Sequence, residues 1–296
     1  MRYLKLFLVL LAVGGFAGCR KPSPTSYMRA YSIHERILVE EDSWSERFPS
    51  EANSLSWELS WHQFTIASVS PSFVPEVKFN GWQIPRENID QVFGELRGED
   101  TLPKISPYAE VQMEVKYRDL NEKYKTASSK VKLPPEPYSV ILSITGSNIW
   151  VAWGKPNKKF VSFVYVGIDA RCYYKYYSSS NFKDTVITNI EKVTEVSVPL
   201  GTICAPISNP DSVFTSVRVI NFYGPWYGSK DNIKGIKGQY YGGSSVVSFK
   251  SWPPSPSVAK FDGKFNLNRE EFFKRMINTI EKHFGVQDEG SWINGF

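Results

Sequence analysis

Apolar and polar residues alternate with a period of two over much of the chain, which predicts β-strands. The segment 55–61 (LSWELSW) alternates leucine and tryptophan with polar residues, so one face would be apolar and the other wet. The same alternation at 109–117, a turn near 119–121 and a return strand at 124–133 predict a hairpin. The first half of the chain therefore indicates a β-sheet protein.

The second half repeats this pattern after Pro134-Pro135-Glu136-Pro137. Three prolines in four residues oppose both helix and ladder pairing, so a domain boundary is predicted there. Short runs bounded by glycine and proline then follow. We expect strands at 140–144, 149–153, 160–168, 193–200, 214–222 and 245–249.

A helical period appears only near the C-terminus. Between Leu267 and Gly285 large apolar residues recur every three or four positions, which predicts an amphipathic helix of about 16 residues. Its mixed glutamates and lysines favour packing on a sandwich or a partner over lying on a membrane. The apolar positions are Phe272, Phe273, Met276, Ile277, Ile280 and Phe284.

The first nineteen residues have the order of a secretory signal. Arg2 and Lys5 precede an apolar run at 6–16, and Ala17-Gly18 leads into Cys19. The run is marginal for spanning a bilayer, which takes about 20 residues. Its ending resembles the lipobox of bacterial lipoproteins. That resemblance implies that Cys19 receives diacylglycerol and becomes the new N-terminus, anchoring the chain to a membrane of the cell envelope.

The residues after Cys19 predict a tether. The segment 20–26 (RKPSPTS) is too polar and proline-rich to bury apolar surface. Arg20 is not the aspartate that holds enterobacterial lipoproteins in the inner membrane, so the resemblance favours the outer membrane where the organism has one. Residues 27–47 are compatible with either a short helix or a first strand.

Two segments resemble fibronectin type III domains. Pro137, the alternating run to Trp153 and Pro156 are similar to the first two strands of that family, and 216–221 with Gly224 is similar to its penultimate strand and turn. Residues 107–133 resemble the last two strands of a further copy. The resemblance implies an all-β fold of tandem fibronectin type III/immunoglobulin-like β-sandwiches with a C-terminal amphipathic helix. The implied divisions are 1–19 (signal), 20–47 (tether and lead-in), 48–134 (first sandwich), 135–255 (second sandwich) and 256–296 (helical segment).

Composition and charge narrow the function classes. Apolar residues make up 42%, and charged residues 22%, which excludes a mainly disordered chain. The formal charge of +5 falls to +3 once Arg2 and Lys5 leave with the signal. This excess is too small for a nucleic-acid binder and supports at most a weak attraction to acidic lipids or glycans.

The remaining cysteines could form one disulfide. With Cys19 lipidated, Cys172 and Cys204 are an even pair in an oxidising compartment. The alternative is two buried free thiols, because cysteine often behaves as a small hydrophobe.

Catalytic motifs are missing from the sequence. His34, His62 and His283 lie neither near one another nor at zinc-ligand spacing from a cysteine, so we expect structural roles for them and no metal or cofactor. Nucleophile-elbow, P-loop and dinucleotide fingerprints do not occur. Carboxylate clusters at 40–42 and 99–100 are typical of solvated loops. The sequence therefore favours a protein that is not an enzyme.

One stretch, 222–243, has the composition of a binding loop. It interleaves aromatic rings with glycines and lysines, and exposed rings with lysines could stack on sugars or grip a protein. The alternative is that the rings turn inward and cap the sandwich. The candidate ligand-binding residues are Tyr223, Trp226, Tyr227, Lys230, Lys234, Lys237, Tyr240 and Tyr241.

Together these patterns predict a lipid-anchored envelope protein that acts as a binding or scaffold module. Its expected partners are the membrane, through the lipid, and an envelope protein or glycan. The rival hypothesis is a glycan-acting envelope enzyme, or a carbohydrate-binding accessory, that uses the 222–243 loop as a subsite.

Overall fold

Strands dominate the structure, and the all-β prediction is confirmed. The sheets are arranged as sandwiches, with a C-terminal helix inside the predicted segment 267–285, although Leu267 and Gly285 themselves lie outside the described residues. The computed structural model describes residues 25–38, 56–92, 95–102, 105–145, 147–204, 210–225, 230–252 and 269–284.

The described elements of the first half are strands and one 3-10 turn, Arg86–Asn88. The strands are Tyr27–Leu38 (β1), Ser56–Ala67 (β2), Glu76–Phe79 (β3), Trp82–Gln83 (β4), Ile89–Val92 (β5), Glu95–Leu102 (β6), Glu110–Arg118 (β7) and Tyr124–Lys132 (β8).

The second half adds seven strands and two helical segments to the described chain. They are Ile141–Ile144 (β9), Asn148–Ala152 (β10), Phe163–Tyr173 (β11), Ser178–Ile187 (β12), Glu195–Pro199 (β13), Leu200–Ile203 (α1), Ser212–Tyr223 (β14), Lys237–Trp252 (β15) and Arg269–His283 (α2).

One eight-stranded sheet runs through both halves of the molecule. Its order is β12-β11-β14-β15-β1-β2-β6-β5. β1 lies in the middle, antiparallel to β2 of its own half and parallel to β15 of the other, from Tyr27 opposite Lys237 to Ile37 opposite Val247. The two predicted sandwiches therefore share a sheet.

β1 lies within the segment predicted as tether and lead-in. The sequence left 27–47 open between helix and strand, and the structure makes 27–38 a central strand. Close approach of β15 requires Gly238, which has a φ of +139° and whose Cβ would lie 1.7 Å from the Met28 carbonyl oxygen. Only glycine accommodates both the backbone angle and the contact.

Two smaller sheets cover one face of the large sheet side by side. The four-stranded sheet β4-β3-β7-β8 packs Phe79 and Met113 against Phe64 of β2. The three-stranded sheet β13-β10-β9 packs Ile149 against Val166 of β11. Each half is thus a sandwich with its own apolar core.

Helix α2 packs on part of the opposite face. Phe272, Met276 and Ile280 are buried in a cluster with Tyr31 and Tyr241 of the large sheet. Packing on the sheet is one of the two placements that the sequence favoured over the membrane. Together with a separate buried cluster of Phe214, Val247 and Phe249, it explains why β14 and β15 are buried on both faces in place of alternating.

The proline segment is fastened to the large sheet. Ser244 donates its hydroxyl to the Pro134 carbonyl at 2.6 Å, and Asn221 donates its amide to the Pro135 carbonyl at 2.9 Å. Glu136 lies 2.7 Å from Nε2 of the buried His34 and 3.3 Å from Nη1 of Arg36. The residues at the predicted domain boundary are therefore held across the strands that the two halves share.

A buried ion pair ties the halves together on the helix side. Nε of Arg218 in β14 donates to Oε2 of Glu35 in β1 at 2.9 Å, and both side chains are almost fully buried. The guanidinium also lies 4.1 Å from the ring of Phe272 in α2. Loss of either partner while the other stays buried would be strongly destabilising, because the remaining charge would lack compensation.

We expect Glu136→Ala to lower the free energy of unfolding by about 1–3 kcal/mol, because it leaves buried His34 without its partner. Urea denaturation followed by tryptophan fluorescence measures the change. Glu110→Ala is the matched control, since its pair with Lys130 is exposed and worth at most about 1 kcal/mol. Equal losses in both variants would contradict a structural role for the proline segment.

Candidate functional site

The predicted aromatic loop divides between surface and core. Tyr223 ends β14 and is 38% exposed, and Trp226 and Tyr227 lie outside the described residues. Tyr240 and Tyr241 are fully buried inside β15, so their assignment to a ligand-binding loop is wrong. The reason is that both faces of β15 are covered, so Tyr240 joins the core of the first sandwich while Tyr241 packs beneath α2.

The remainder of this loop closes the first sandwich. Ile233 and Ile236 are buried in its core, and Lys234 exchanges backbone hydrogen bonds with Ser128 of β8 at 2.8 and 2.9 Å. Tyr117 donates its hydroxyl to the Gly235 carbonyl at 3.0 Å. Connection 230–236 thus belongs to the structure of the first half, although the sequence places it in the second.

The three predicted lysines, Lys230, Lys234 and Lys237, are exposed. They lie at the end of the molecule where the described chain begins. An open cleft of about 540 Å³ occupies this end, lined among others by Thr25, Asn121 and Lys237. The three lysines therefore contribute charge to an end surface.

A hydrogen-bonded serine, histidine and tyrosine lie in the core of the first sandwich. The Ser32 hydroxyl is 2.5 Å from Nδ1 of His62 and 2.6 Å from the Tyr240 hydroxyl, and His62 stacks on Phe79 at 4.5 Å. Burial lowers the pKa of His62 to about 3. Since all three polar residues are sealed from solvent, a substrate could not reach them without opening the sheet.

His62 should make stability depend on pH. The unfolded chain protonates this imidazole near its ordinary pKa of 6.5, whereas burial holds the folded value near 3, so only the unfolded state binds the proton between these values. We expect the free energy of unfolding to fall by up to about 1.4 kcal/mol per pH unit as the pH drops through this window.

Urea denaturation of the wild type and His62→Gln at several pH values tests this expectation. The variant removes the titration and should flatten the slope, whereas His283→Gln at the exposed end of α2 should keep it. An unchanged slope in His62→Gln would contradict the assignment.

The opposite end of the large sheet carries a disulfide. Cys172 and Cys204 are bonded, with Cα atoms 5.7 Å apart, and both are fully buried. Tyr174 donates its hydroxyl to the Cys204 carbonyl at 2.5 Å. The disulfide and this hydrogen bond fix the base of the turn between β11 and β12 to the segment after α1.

That turn carries a tyrosine-rich tip, which we define as residues 173–177 (YYKYY). Tyr174 and Tyr177 stack with centroids 4.5 Å apart, and Lys175 Nζ lies 5.3 Å from the Tyr176 ring. Tyr176 is 86% exposed, and Tyr177 is 43% exposed. A rigid base with an exposed ring is the geometry of a contact residue.

No binding role for this tip was predicted from the sequence. The signal was available, because four tyrosines in five residues are hard to bury in one turn. Its position, at the end of the large sheet opposite the start of the described chain, became evident only from the strand pairing. Tyr173 pairs with Ser212, and neighbouring Val213 pairs with Trp252 at the end of β15, whereas Lys237 at the start of β15 pairs with Tyr27.

Other candidate chemistry is sparse. In the part of the chain that the structure describes, no three His, Cys, Asp or Glu side chains converge as metal ligands would. Among the same residues, no helix has the length and apolarity needed to cross a bilayer. Cys19, the predicted lipidation site, lies outside the described residues.

Comparisons with known proteins leave the function open. No family model matches the chain, and no curated protein sequence does. Dimeric latent PorU from Porphyromonas gingivalis aligns at 10% identity and a TM-score of 0.23, over 64% of this chain and 18% of that one. The FN1–FN3 domains of chicken CNTN1 align at 12% identity and a TM-score of 0.20, over 62% and 60%. The chain therefore spans less than two thirds of either structure, and similarities this weak carry no argument about activity.

Proposed function

We propose that this protein is a lipid-anchored component of the bacterial cell envelope that binds a partner, without catalysis, at the tyrosine-rich tip. The single observation that supports the proposal is that the start of the described chain and the tip lie at opposite ends of the fold. The described chain begins at one end of the large sheet, and the tip projects at the other. A lipid at Cys19 would therefore present the tip away from the membrane.

The length of the large sheet sets the distance between the proposed anchor and the tip. β15 has 16 residues, which correspond to about 50 Å at roughly 3.3 Å per residue. Tethering to a surface raises the effective concentration of the tip for other surface-bound components. The proposed mechanism is thus positional, with the sandwiches serving as a stiff spacer between anchor and contact.

A protein partner agrees best with the tip. Tyrosine is enriched where proteins bind one another, and an ordered tyrosine pair loses little conformational entropy on binding. A glycan partner is the second candidate, because the exposed Tyr176 ring beside Lys175 could stack on a sugar. A glycan subsite in 222–243 has less support, since Tyr240 and Tyr241 are buried.

Lipidation is tested by Cys19→Ser. We expect the wild type to incorporate a labelled fatty acid and to sediment with membranes, and the variant to lose the label and shift to the soluble fraction, because a single residue accepts the acyl chains. Ser23→Ala, four residues further along, is the control. A Cys19→Ser chain that keeps the label would overturn the anchor.

The tip is tested by Tyr176→Ala in cross-linked cells that carry a tagged chain. Recovery of the specific partner should drop roughly tenfold or more, as expected for a contact residue. The control is Tyr108→Ala, which removes an exposed tyrosine at a different place on the surface. Undiminished recovery with Tyr176→Ala would contradict a role for the tip. If Tyr176→Ala instead loses binding to purified cell-wall polysaccharides and not to proteins, the partner is a glycan.

A further inference from the structure

The end of the molecule opposite the tip forms a distinct surface, which we call the tether-end face. It comprises residues 25–26, 68–75, 119–125 and 230–237. Ser26 donates its hydroxyl to the Ser68 carbonyl at 2.9 Å, Val69 bridges to Asp119, and Lys234 bridges to Ser128. Four segments from distant parts of the sequence thus meet where the described chain begins.

Lysines predominate on this face. Lys123, Lys125, Lys230, Lys234 and Lys237 are all exposed. Lys125 lies 3.9 Å from Asp119. Within the described part of the chain, the salt bridges include none of the other four. These four ammonium groups are therefore available to an external anion.

The carboxylates of the same face are already occupied by internal hydrogen bonds. Asp119 accepts the backbone N–H groups of Asn121 and Lys123 at 2.9 and 3.0 Å, and Asp231 accepts that of Gly238 at 2.8 Å. Glu122 accepts bonds from Ser70, Ser72 and Arg118. These acids shape the turns, so their negative charge is partly compensated, whereas the positive charge of Lys123, Lys230, Lys234 and Lys237 has no ion-pair partner in the described part of the chain.

Exposed apolar side chains accompany the lysines. Leu120 at the turn between β7 and β8 is 42% exposed, Tyr124 is 65% exposed, and Val74 in the neighbouring turn is 37% exposed. Aliphatic and aromatic groups beside lysines are the combination found at membrane interfaces, where the apolar part enters the headgroup region and the ammonium stays at the phosphates.

The length of the tether limits how far this face can lie from the lipid. Five residues separate Cys19 from Thr25, so a fully extended chain spans at most about 20 Å. The Debye length at physiological salt is about 8 Å, and long lysine side chains shorten the remaining gap. An anionic surface within this range attracts the unpaired lysines.

We propose that the tether-end face docks on the anionic phospholipid headgroups of the membrane that holds the anchor, with Lys123, Lys230 and Lys234 against the phosphates and Leu120 beside them. The orientation rests on the proposed lipid anchor, whereas the affinity for anionic lipid is a property of the face itself. Docking keeps the long axis of the sheet upright and the tip at full distance from the bilayer.

The test uses the unlipidated mature chain from Arg20, which contains every described residue. Its binding to vesicles of phosphatidylglycerol and phosphatidylethanolamine is compared with its binding to phosphatidylcholine vesicles. A lysine near an anionic surface is worth roughly fivefold in partitioning, so the triple variant Lys123→Gln, Lys230→Gln, Lys234→Gln should bind anionic vesicles about 100-fold more weakly. Binding by the wild type should also fall as salt is added.

The control is a second triple variant with the same change in net charge. Lys132, Lys183 and Lys192 are exposed and lie away from the tether-end face, at the end of β8, on β12 and in the turn between β12 and β13. Their replacement by glutamine should leave most of the binding. If this variant loses as much vesicle binding as the first, the effect depends only on net charge, and the proposal is overturned.

Two further outcomes would also overturn it. One is equal binding of the wild type to anionic and neutral vesicles, and the other is lysine-dependent binding to soluble acidic polysaccharides with none to vesicles, which would assign the face to a glycan. Because this chain has no lipid, failure here is independent of the Cys19→Ser result. A labelled Cys19 with no vesicle binding would refute the docking and leave the anchor standing.

Discussion

The parallel pairing of β1 with β15 is the constraint on which the molecule depends. Without it the large sheet would divide into β12-β11-β14-β15 and β1-β2-β6-β5, and the two sandwiches would be separate bodies. Gly238 permits the pairing, Glu35 and Arg218 reinforce it on the helix side, and the proline segment reinforces it on the other. Each contact joins residues from both halves, so the fold behaves as a single mechanical unit.

A stiff unit gives the two ends different surroundings. At the far end the disulfide and the hydrogen bond from the Tyr174 hydroxyl hold the turn that carries the tyrosine-rich tip, and the outermost rings of this tip are exposed to solvent. At the near end lysines and a few apolar side chains surround the start of the described chain. A flexible joint at Pro134–Pro137 would let the two ends change their relative positions. The hydrogen bonds of that segment to Ser244 and Asn221 oppose such bending.

The sequence predicted the elements that alternate locally and missed those whose burial depends on distant neighbours. The β7–β8 hairpin was accessible because Val111, Met113 and Val115 face a core while the residues between them face solvent. β1 was ambiguous, since Ser32, His34 and Glu35 are polar residues buried by partners far along the chain. Tyr240 and Tyr241 look like a binding motif because a strand covered on both faces has no alternation.

The candidate surfaces show the same difference between local patterns, which could be predicted, and long-range contacts, which could not. The lysines of 230–237 were singled out from the sequence as candidate ligand-binding residues, but the surface they share with Lys123 depends on long-range contacts such as the Ser128–Lys234 bridge, which no local pattern encodes. The tyrosine run was visible as composition, whereas its distance from the chain start is a property of strand order.

The placement of β1 also governs when the protein can fold. β1 is the first of the described strands to be synthesised, and its neighbour β15 follows only after all the other described strands of the sheet have been made. Contacts between segments so far apart in sequence form slowly, because a long loop must close before they are gained. A nascent chain therefore lacks the strand that completes its central sheet until residues 237–252 have emerged, so the large sheet can close only after most of the chain has been made.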